Sequence, residues 1–247
     1  MSKAKLYRLH EGLPRQAPGS DASTRDAIGR LGTLPPNPRA LDVGCGPGRA
    51  SSLLAELLQA RVTAIDIHQP YLNDLAAAAQ RAGVGQSIAP RRLSMAKMDF
   101  APASFDLIWA EGSAYFLGIR KSLETWYPLL AAGGAAVFTE LCWLGDDRPA
   151  EAVEYWATAY PEMTTPAVHL AAAREIGYVA CQHWAMPEKD WWADYLTPLE
   201  ARMKVLTEEA KRDRKLSALI ADSRRAIDLY RRYSSSFGYV FHLVRKP

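Results

Sequence analysis

Three closely spaced glycines follow a short apolar run in the segment Ala40-Leu-Asp-Val-Gly-Cys-Gly-Pro-Gly-Arg49. Gly44, Gly46 and Gly48 can adopt backbone conformations that other residues avoid, and they let a ligand approach the main chain closely. The residues after the third glycine have helical spacing, so the turn should lead into a helix whose first N–H groups are unpaired. Because open parallel sheets bind ligands at the carboxyl ends of their strands, this turn is a candidate binding site.

An acidic residue stands about twenty residues after this turn, at the predicted end of the second strand. Asp66 is therefore placed where one carboxylate can accept hydrogen bonds from both hydroxyls of a ribose. Taken alone, Asp66 could equally be a solvated residue at a strand end or the cap of the next helix. Together, the turn and the carboxylate favour a ligand that contains a nucleoside.

The glycine spacing distinguishes this turn from two common nucleotide-binding loops. The dehydrogenase fingerprint G-x-G-x-x-G would place its third glycine at Arg49 when counted from Gly44, or at Ser51 when counted from Gly46. That position needs a very small residue for close packing of helix and strand, so a nicotinamide site is disfavoured. The phosphate-binding loop of nucleotide hydrolases is excluded because no Gly-Lys-Ser/Thr sequence follows.

Short β-rich runs alternate with helical patterns from Arg39 onward, which predicts an α/β fold with a mostly parallel sheet covered on both faces. Pro90 limits the third run to an edge strand or a broken strand. The predicted strands span residues 39–44, 61–66, 87–94, 105–111, 135–143, 178–186 and 239–245. The predicted helices among them span residues 49–60, 71–81 and 121–131, the last ending at Gly133-Gly134.

Two segments lie outside this alternation, residues 1–38 and about 187–237. The first contains a loop rich in proline and glycine and a short helix candidate over residues 22–31, which Ser20 or Asp21 could cap. The second contains a charged helix with an apolar stripe. Neither has enough apolar residues for its own core, so we predict one domain over residues 39–247 with these helical additions. The stripe consists of Leu216, Leu219, Ile220, Ile227 and Tyr230.

The composition is that of an ordinary globular protein, with 49% hydrophobic and 23% charged residues over 247 positions. The net charge of +3 gives no reason to expect a nucleic-acid or membrane partner. The cysteines Cys45, Cys142 and Cys181 lack CxxC spacing and the histidines form no spaced pair with another ligand type, so no metal site is expected. Without a signal peptide or a long apolar segment, we expect a cytoplasmic protein.

Four segments of the chain follow one another as a series of motifs: Leu41-Asp-Val-Gly-Cys-Gly-Pro-Gly48, Ala64-Ile-Asp66, Ser104-Phe-Asp-Leu-Ile-Trp-Ala-Glu-Gly112 and Leu129-Leu-Ala-Ala-Gly-Gly134. They resemble the motifs of class I S-adenosylmethionine-dependent methyltransferases, in particular the bacterial small-molecule branch similar to ubiquinone/menaquinone-type enzymes. The resemblance covers roughly residues 39–143. It implies a doubly wound, Rossmann-like sheet of seven strands with an antiparallel last strand, the cofactor S-adenosyl-L-methionine, and a small-molecule methyl acceptor.

The resemblance also implies roles for individual residues. The methionine part of the cofactor would lie on the glycine turn with Asp42 near its amino group, and Asp66 would bind the ribose. Many relatives have an acidic residue where this chain has Ser94, so a backbone contact from Met95 or Ala96 would replace it at the adenine. The residues implied at the cofactor are Asp42, Gly44, Cys45, Gly46, Gly48, Asp66, Ile67, Ser94, Met95, Ala96 and Glu111.

Methyl transfer from a sulfonium needs mainly alignment, together with a general base where the acceptor must lose a proton. Glu111 and Glu140 are the candidate catalytic residues, because both belong to predicted strands that point toward the ligand edge. Glu111 could equally contact the cofactor or cap a helix. Glu140 lies in a buried strand, where an unpaired carboxylate is costly, so it should face the cleft or a partner.

The N-terminal loop is a candidate lid over the cofactor, with a plain surface loop as the alternative. The polar residues of this candidate lid are His10, Arg15, Gln16 and Ser20. Aromatic residues cluster after the fifth strand, and a minority of them could wall an acceptor pocket.

Two functions other than methyl transfer stay open. A non-catalytic adenosyl-binding regulator or scaffold would keep the glycine turn and Asp66 but lack an acceptor pocket beside Glu111. An NAD(P)-dependent oxidoreductase is less favoured because of Arg49.

Overall fold

The computed structural model describes residues 3–247 and contains seven strands in one sheet. Every predicted strand is present, with ends that differ by a few residues. The strands are β1 (Arg39–Val43), β2 (Arg61–Asp66), β3 (Ile88–Arg92), β4 (Phe105–Ala110), β5 (Leu130–Trp143), β6 (Val179–Ala185) and β7 (Phe237–Arg245).

The helices fall before, between and after these strands. Short helical turns join several of them, and α8 continues through a π-helical turn (Trp192–Leu196) into α9. The α-helices are α1 (Lys3–His10), α2 (Asp21–Gly29), α3 (Arg49–Leu58), α4 (Gln69–Arg81), α5 (Ile119–Leu129), α6 (Ala150–Ala159), α7 (Pro166–Ile176), α8 (Lys189–Trp191), α9 (Thr197–Val205), α10 (Thr207–Ala210) and α11 (Arg214–Tyr233).

The strand order β3-β2-β1-β4-β5-β7-β6 places β1 and β4 at the centre and β3 at an edge. The first five strands pair in parallel, whereas β7 is antiparallel to both β5 and β6. The expected mostly parallel sheet with an antiparallel last strand is therefore confirmed, as is the edge position of the strand that contains Pro90. Because β1, β2 and β4 run in the same direction, the residues that follow them meet at one edge of the sheet.

The predicted boundary between the third helix and the fifth strand is wrong. Helix α5 ends at Leu129, and Gly133 and Gly134 lie inside β5 instead of stopping the helix. Gly133 has a φ of +73°, and its N–H donates to the carbonyl of Lys246. It lies where the register between β4 and β5 is irregular, since Phe105 pairs with Leu130 but Leu107 pairs with Ala135. Glycine serves here as a strand irregularity, a role that the sequence does not distinguish from a helix stop.

Two apolar layers cover the sheet. Helices α2, α3, α4 and α11 contribute to one layer, and α5 and α7 contribute to the other. Successive residues of the central strands alternate between the layers: Leu107 and Trp109 belong to the first, and Ile108 and Ala110 to the second. Among residues 3–247, no helix is both long and apolar enough to cross a membrane.

The two helical additions pack on the first layer. Leu9 of α1, Ile28 of α2 and the five residues of the predicted α11 stripe are buried in it. Ser20 caps α2, since its side chain accepts a hydrogen bond from the Ser23 N–H. Residues 12–19 form a loop as predicted, whereas the helix α1 over residues 3–10 was not predicted. The division into residues 1–38 and 39–247 stays a prediction.

Gly48 makes a close approach that only glycine permits. Its φ is +85°, and a Cβ atom there would lie 1.9 Å from Leu75 Cδ1 and 3.0 Å from Leu75 Cβ. We expect Gly48→Ala to destabilise the protein by at least about 1 kcal/mol more than Gly83→Ala, because the overpacking adds to the cost of the positive φ. Gly83 is the matched control, since its φ is +73° and no atom lies within 4 Å of its added Cβ.

Urea denaturation of both variants without ligand measures this difference. Equal losses in the two variants would show that Leu75 gives way freely.

Candidate active site

The glycine turn lies at the carboxyl edge of the sheet, directly after β1. The N–H groups of Gly44 and Cys45 both donate to the carbonyl of Ile65, at 2.8 and 3.0 Å, which fixes the turn to β2. Gly44 has a φ of +71°, and a Cβ atom there would lie 2.5 Å from the Cβ of Ser113. The turn therefore runs in close contact with the segment that follows β4.

Asp66 links the glycine turn to the residues after β2. Its Oδ2 accepts a hydrogen bond from the Gly46 N–H at 3.0 Å, and its Oδ1 accepts one from the His68 N–H at 2.8 Å. A carboxylate has about four lone-pair positions, so each oxygen keeps capacity for a ligand hydroxyl. Ile67, the residue between Asp66 and His68, is 42% exposed and offers an apolar surface beside the carboxylate of Asp66.

Asp42 lies beneath the turn and is almost fully buried. The hydroxyl of Ser51 donates to its Oδ2 at 2.6 Å. Burial, together with the negative charges of Glu111 and Asp66, raises the pKa of Asp42 to about 7, against the effect of the hydrogen bond from Ser51. A cationic group nearby would stabilise the ionised form of such a carboxyl.

The segment after β3 reaches the turn through one side chain. Met95 begins a short 3₁₀ turn, and its Cε atom lies 3.5 Å from the position of a Cβ on Gly44. The Ser94 hydroxyl accepts a hydrogen bond from the Ala96 N–H at 3.3 Å, so it stabilises this turn locally. Cys45 is also buried at the glycine turn, and its thiol is directed to the Gly46 carbonyl.

Glu111, directly after β4, is held by the N-terminal segment. Arg15 Nη1 donates to Glu111 Oε2 at 2.9 Å, and both side chains are at most 10% exposed. Oε1 accepts hydrogen bonds from Thr24 Oγ1 at 2.7 Å and from Trp109 Nε1 at 2.9 Å. A role as general base would require Glu111 to give up its pairing with Arg15.

The same segment contacts the end of β2. Gln16 Oε1 accepts a hydrogen bond from the Tyr71 hydroxyl, and its Cγ lies 3.5 Å from the position of a Cβ on Gly46. The ring of Tyr7 stacks on His68 with centroids 3.7 Å apart. Residues from α1 and from the loop after it thus surround the carboxyl ends of β1, β2 and β4.

Two of the four candidate lid residues have local roles. His10 is the last residue of α1 and not part of the loop; it is buried, and its ring pairs with the Leu6 carbonyl and the Tyr195 hydroxyl. Burial lowers the pKa of His10. Ser20 caps α2. Only Arg15 and Gln16 contact residues of the candidate cofactor site.

A cavity of about 330 Å³ lies beside this edge of the sheet. Tyr115 lines it two residues after Ser113, the residue that contacts the glycine turn, and Pro18 of the N-terminal loop also contributes. The other lining residues are Glu140, Leu141, Trp156, Ala159, Tyr160, Trp191, Tyr195, Leu196, Leu199, Ser223, Ala226, Ile227, Tyr230, Phe237 and Tyr239.

Glu140 is the acidic residue of this cavity and is only 2% exposed. Its Oε1 accepts a hydrogen bond from the Leu141 N–H at 2.9 Å, whereas Oε2 has no hydrogen-bond partner among the residues that the structure describes. Burial raises the pKa of Glu140 to about 8. The Leu141 N–H and the nearby Tyr160 hydroxyl oppose this rise, because they favour the charged form of the carboxylate. The expectation that Glu140 faces the cleft agrees with this position.

The fold also brings together a group that spacing in the sequence did not reveal. The ligand atoms of Cys142, His169 and His242 lie within 4.8 Å of one another, and all three residues are buried. His169 Nδ1 lies 3.4 Å from His242 Nε2 and 3.7 Å from Cys142 Sγ, and burial lowers the pKa of His169 to about 4. These residues come from β5, α7 and β7 and do not line the cavity.

Comparison with known proteins supports one family for the central part of the chain. Residues 40–134 match the family described as Methyltransferase domain. A geranyl diphosphate 2-C-methyltransferase of Saccharopolyspora erythraea is 28% identical over 47% of this chain and 41% of its own length. A malonyl-[acyl-carrier protein] O-methyltransferase of Salmonella typhimurium is 31% identical over 56% of this chain and 50% of its own length. The matches thus span half or less of these relatives.

The fold similarity extends over the whole chain. The structure of an S-adenosylmethionine-dependent methyltransferase from Geobacter sulfurreducens, in complex with S-adenosyl-L-homocysteine, superposes with a TM-score of 0.80. It covers 99% of this chain and 98% of the other at 17% identity, which shows a common fold. The family match over residues 40–134, the strand order and the glycine turn at the end of β1 agree: the central part of this chain is similar to the methyltransferase-domain family, and the chain has the fold of the Geobacter sulfurreducens enzyme.

Proposed function

We propose that this protein transfers a methyl group from S-adenosyl-L-methionine to a small molecule bound in the cavity beside Glu140. The observation that carries this proposal is the adjacency of the glycine turn and the cavity. Ser113 contacts Gly44, and Tyr115 lines the cavity two residues later. A cofactor on the turn and an acceptor in the cavity would therefore be neighbours, as a displacement reaction requires.

The residues at the turn fit the proposed cofactor. Asp66 keeps acceptor capacity for the ribose hydroxyls, and Ile67 offers an apolar face for the adenine. Asp42 is a buried carboxyl whose raised pKa a nearby ammonium would lower, which suits the methionine amino group. Ser94 is occupied by its own turn, so the adenine amine would rely on backbone groups near Met95 and Ala96.

When bound, the cofactor supplies an electrophilic methyl group on a sulfonium. The protein's own residues align the two partners and exclude water. We propose that the N-terminal segment forms the lid, since Arg15 and Gln16 bridge it to residues after β4 and β2. Glu111 then acts as the anchor of this lid, and Glu140 is the carboxylate that reaches the acceptor.

The size of the cavity supports a small acceptor. About 330 Å³ is at the low end of ligand sites, which span roughly 300 to 1,000 Å³. The curated relatives bear the names of different acceptors, geranyl diphosphate and a malonyl thioester carrier. A non-catalytic adenosyl-binding regulator is less well supported, because it would have no need for an acceptor cavity at this position. The free thiols of the three cysteines fit the cytoplasm that we propose as its location.

Isothermal titration with S-adenosylmethionine, S-adenosylhomocysteine and NADPH tests the cofactor assignment. We expect the first two to bind and NADPH not to bind. Binding of NADPH alone, or of none of the three, would contradict the proposal.

Asp66 should contribute strongly to cofactor affinity. We expect Asp66→Ala to weaken S-adenosylhomocysteine binding by about 2–4 kcal/mol, because one or two charge-assisted hydrogen bonds to the ribose are lost and the Gly46 N–H loses its acceptor. Asp74→Ala is the matched control, since Asp74 is an exposed acid on α4. Titration calorimetry on folded variants decides, and an unchanged affinity for Asp66→Ala would remove Asp66 from the site.

Arg15 should keep the lid in place. We expect Arg15→Met to weaken S-adenosylhomocysteine binding by roughly tenfold and to lower the free energy of unfolding by about 3 kcal/mol, because Glu111 is left buried without its partner. Arg25→Met is the control, since Arg25 and Glu56 form an exposed pair 3.6 Å apart. A folded Arg15→Met variant with wild-type affinity would show that the segment is not a lid.

A further inference from the structure

We propose that the methyl acceptor is a small amine, and that Glu140 binds its ammonium form and takes the proton that must leave before the nitrogen can be methylated. This inference rests on the proposed function and names the substrate class of the same site. Glu140 would be a catalytic residue.

The charge of the cavity lining is the first reason to expect an amine. Of its seventeen lining residues, Glu140 is acidic and none is lysine, arginine or histidine. An anionic acceptor such as a carboxylate or phosphate would have no positive partner there and would lie against a carboxyl. A cationic ligand would complement the charge of this cavity.

The aromatic residues of the lining are the second reason to expect an amine. Eight of the seventeen lining residues are tyrosine, tryptophan or phenylalanine, and several of these rings pack on one another. Trp191 stacks on Tyr230 with centroids 3.9 Å apart, and the edge of Trp156 meets Phe237 at 5.5 Å. Aromatic ring faces attract ammonium groups, most strongly where water is excluded. The wall therefore suits an amine with an apolar body.

The third reason is Glu140 Oε2, which lacks a hydrogen-bond donor among the described residues. Oε2 is buried and accepts no hydrogen bond within the part of the chain that the structure describes. A buried acceptor without a donor is costly, so this atom is suited to a ligand N–H. An ammonium provides such a donor together with the charge that would stabilise the carboxylate.

Within residues 3–247, the titratable groups that face Glu140 include no cation. The Tyr160 hydroxyl and the exposed carboxylate of Glu162 lie on the side of α6, Tyr115 faces it from the segment after β4, and Tyr239 and Cys142 face it from the sheet. These are phenols, a thiol and a second acid. The positive charge must therefore come from the ligand.

The proton balance follows from these contacts. In the empty cavity at pH 7, Glu140 is mostly protonated, since its pKa is raised to about 8. Binding of an ammonium would release that proton to water and leave an ammonium–carboxylate pair. The ammonium N–H bond then breaks and its proton passes to Oε2. The freed nitrogen lone pair forms the bond to the methyl carbon, and the electron pair of the carbon–sulfur bond returns to sulfur.

Titration calorimetry of the protein saturated with S-adenosylhomocysteine tests this inference with three probes of similar shape: benzylamine, benzyl alcohol and benzoate. We expect benzylamine to bind roughly tenfold or more tightly than benzyl alcohol, and benzoate not to bind. Titrations in buffers of different ionisation enthalpy should show the release of close to one proton per benzylamine at pH 7.

Glu140→Gln keeps the shape of the side chain and removes its charge. It should bind S-adenosylhomocysteine as the wild type does but bind benzylamine no more tightly than benzyl alcohol. Glu162→Gln, which removes a neighbouring acid outside the cavity, should keep the preference. Equal binding of the three probes, tighter binding of benzoate, no binding of benzylamine, or an amine preference that survives in Glu140→Gln would each overturn the inference. If the wild-type protein does not bind S-adenosylhomocysteine, that result would instead refute the proposed function.

Discussion

Three carboxyl groups are buried at one edge of the sheet, and each needs compensation for the loss of water. This constraint follows from the parallel strands, which end side by side and direct Asp42, Glu111 and Glu140 to the same region. A buried charge is expensive unless it is paired or protonated. One of the three groups is paired within the chain, whereas the pKa of the other two is raised, and the proposed roles of the site follow from this difference.

Glu111 is compensated within the chain. Arg15, Thr24 and the Trp109 indole satisfy its oxygens, so folding of the N-terminal segment over the site is coupled to the burial of this acid. Neither Asp42 nor Glu140 has a cationic partner among residues 3–247: Asp42 accepts a hydrogen bond from the Ser51 hydroxyl, and Glu140 accepts one from the Leu141 N–H. Both therefore have a raised pKa. In our account, the ammonium of the cofactor completes the surroundings of Asp42, and the ammonium of the acceptor completes those of Glu140.

Much of this arrangement could be predicted from local patterns in the sequence. The glycine turn, Asp66 and the alternation of strands and helices are short-range signals, because strand periodicity and turn chemistry are set by neighbouring residues. The role of Gly133 could not be predicted, since glycine can end a helix or lie at an irregularity of a strand, and only the pairing of β5 with its neighbours decides. The pairing of Arg15 with Glu111 joins residues 96 positions apart, and nothing in their local sequence specifies it. The grouping of Cys142 with His169 and His242 depends on tertiary packing in the same way.

A crystal structure of the complex with S-adenosylhomocysteine would show whether the cofactor site and the acceptor cavity are adjacent. We expect the ribose hydroxyls to bind Asp66, the amino group to lie at Asp42, and the sulfur to open onto the cavity that contains Glu140. A ligand bound away from the glycine turn, or a sulfur separated from the cavity by protein atoms, would contradict this expectation.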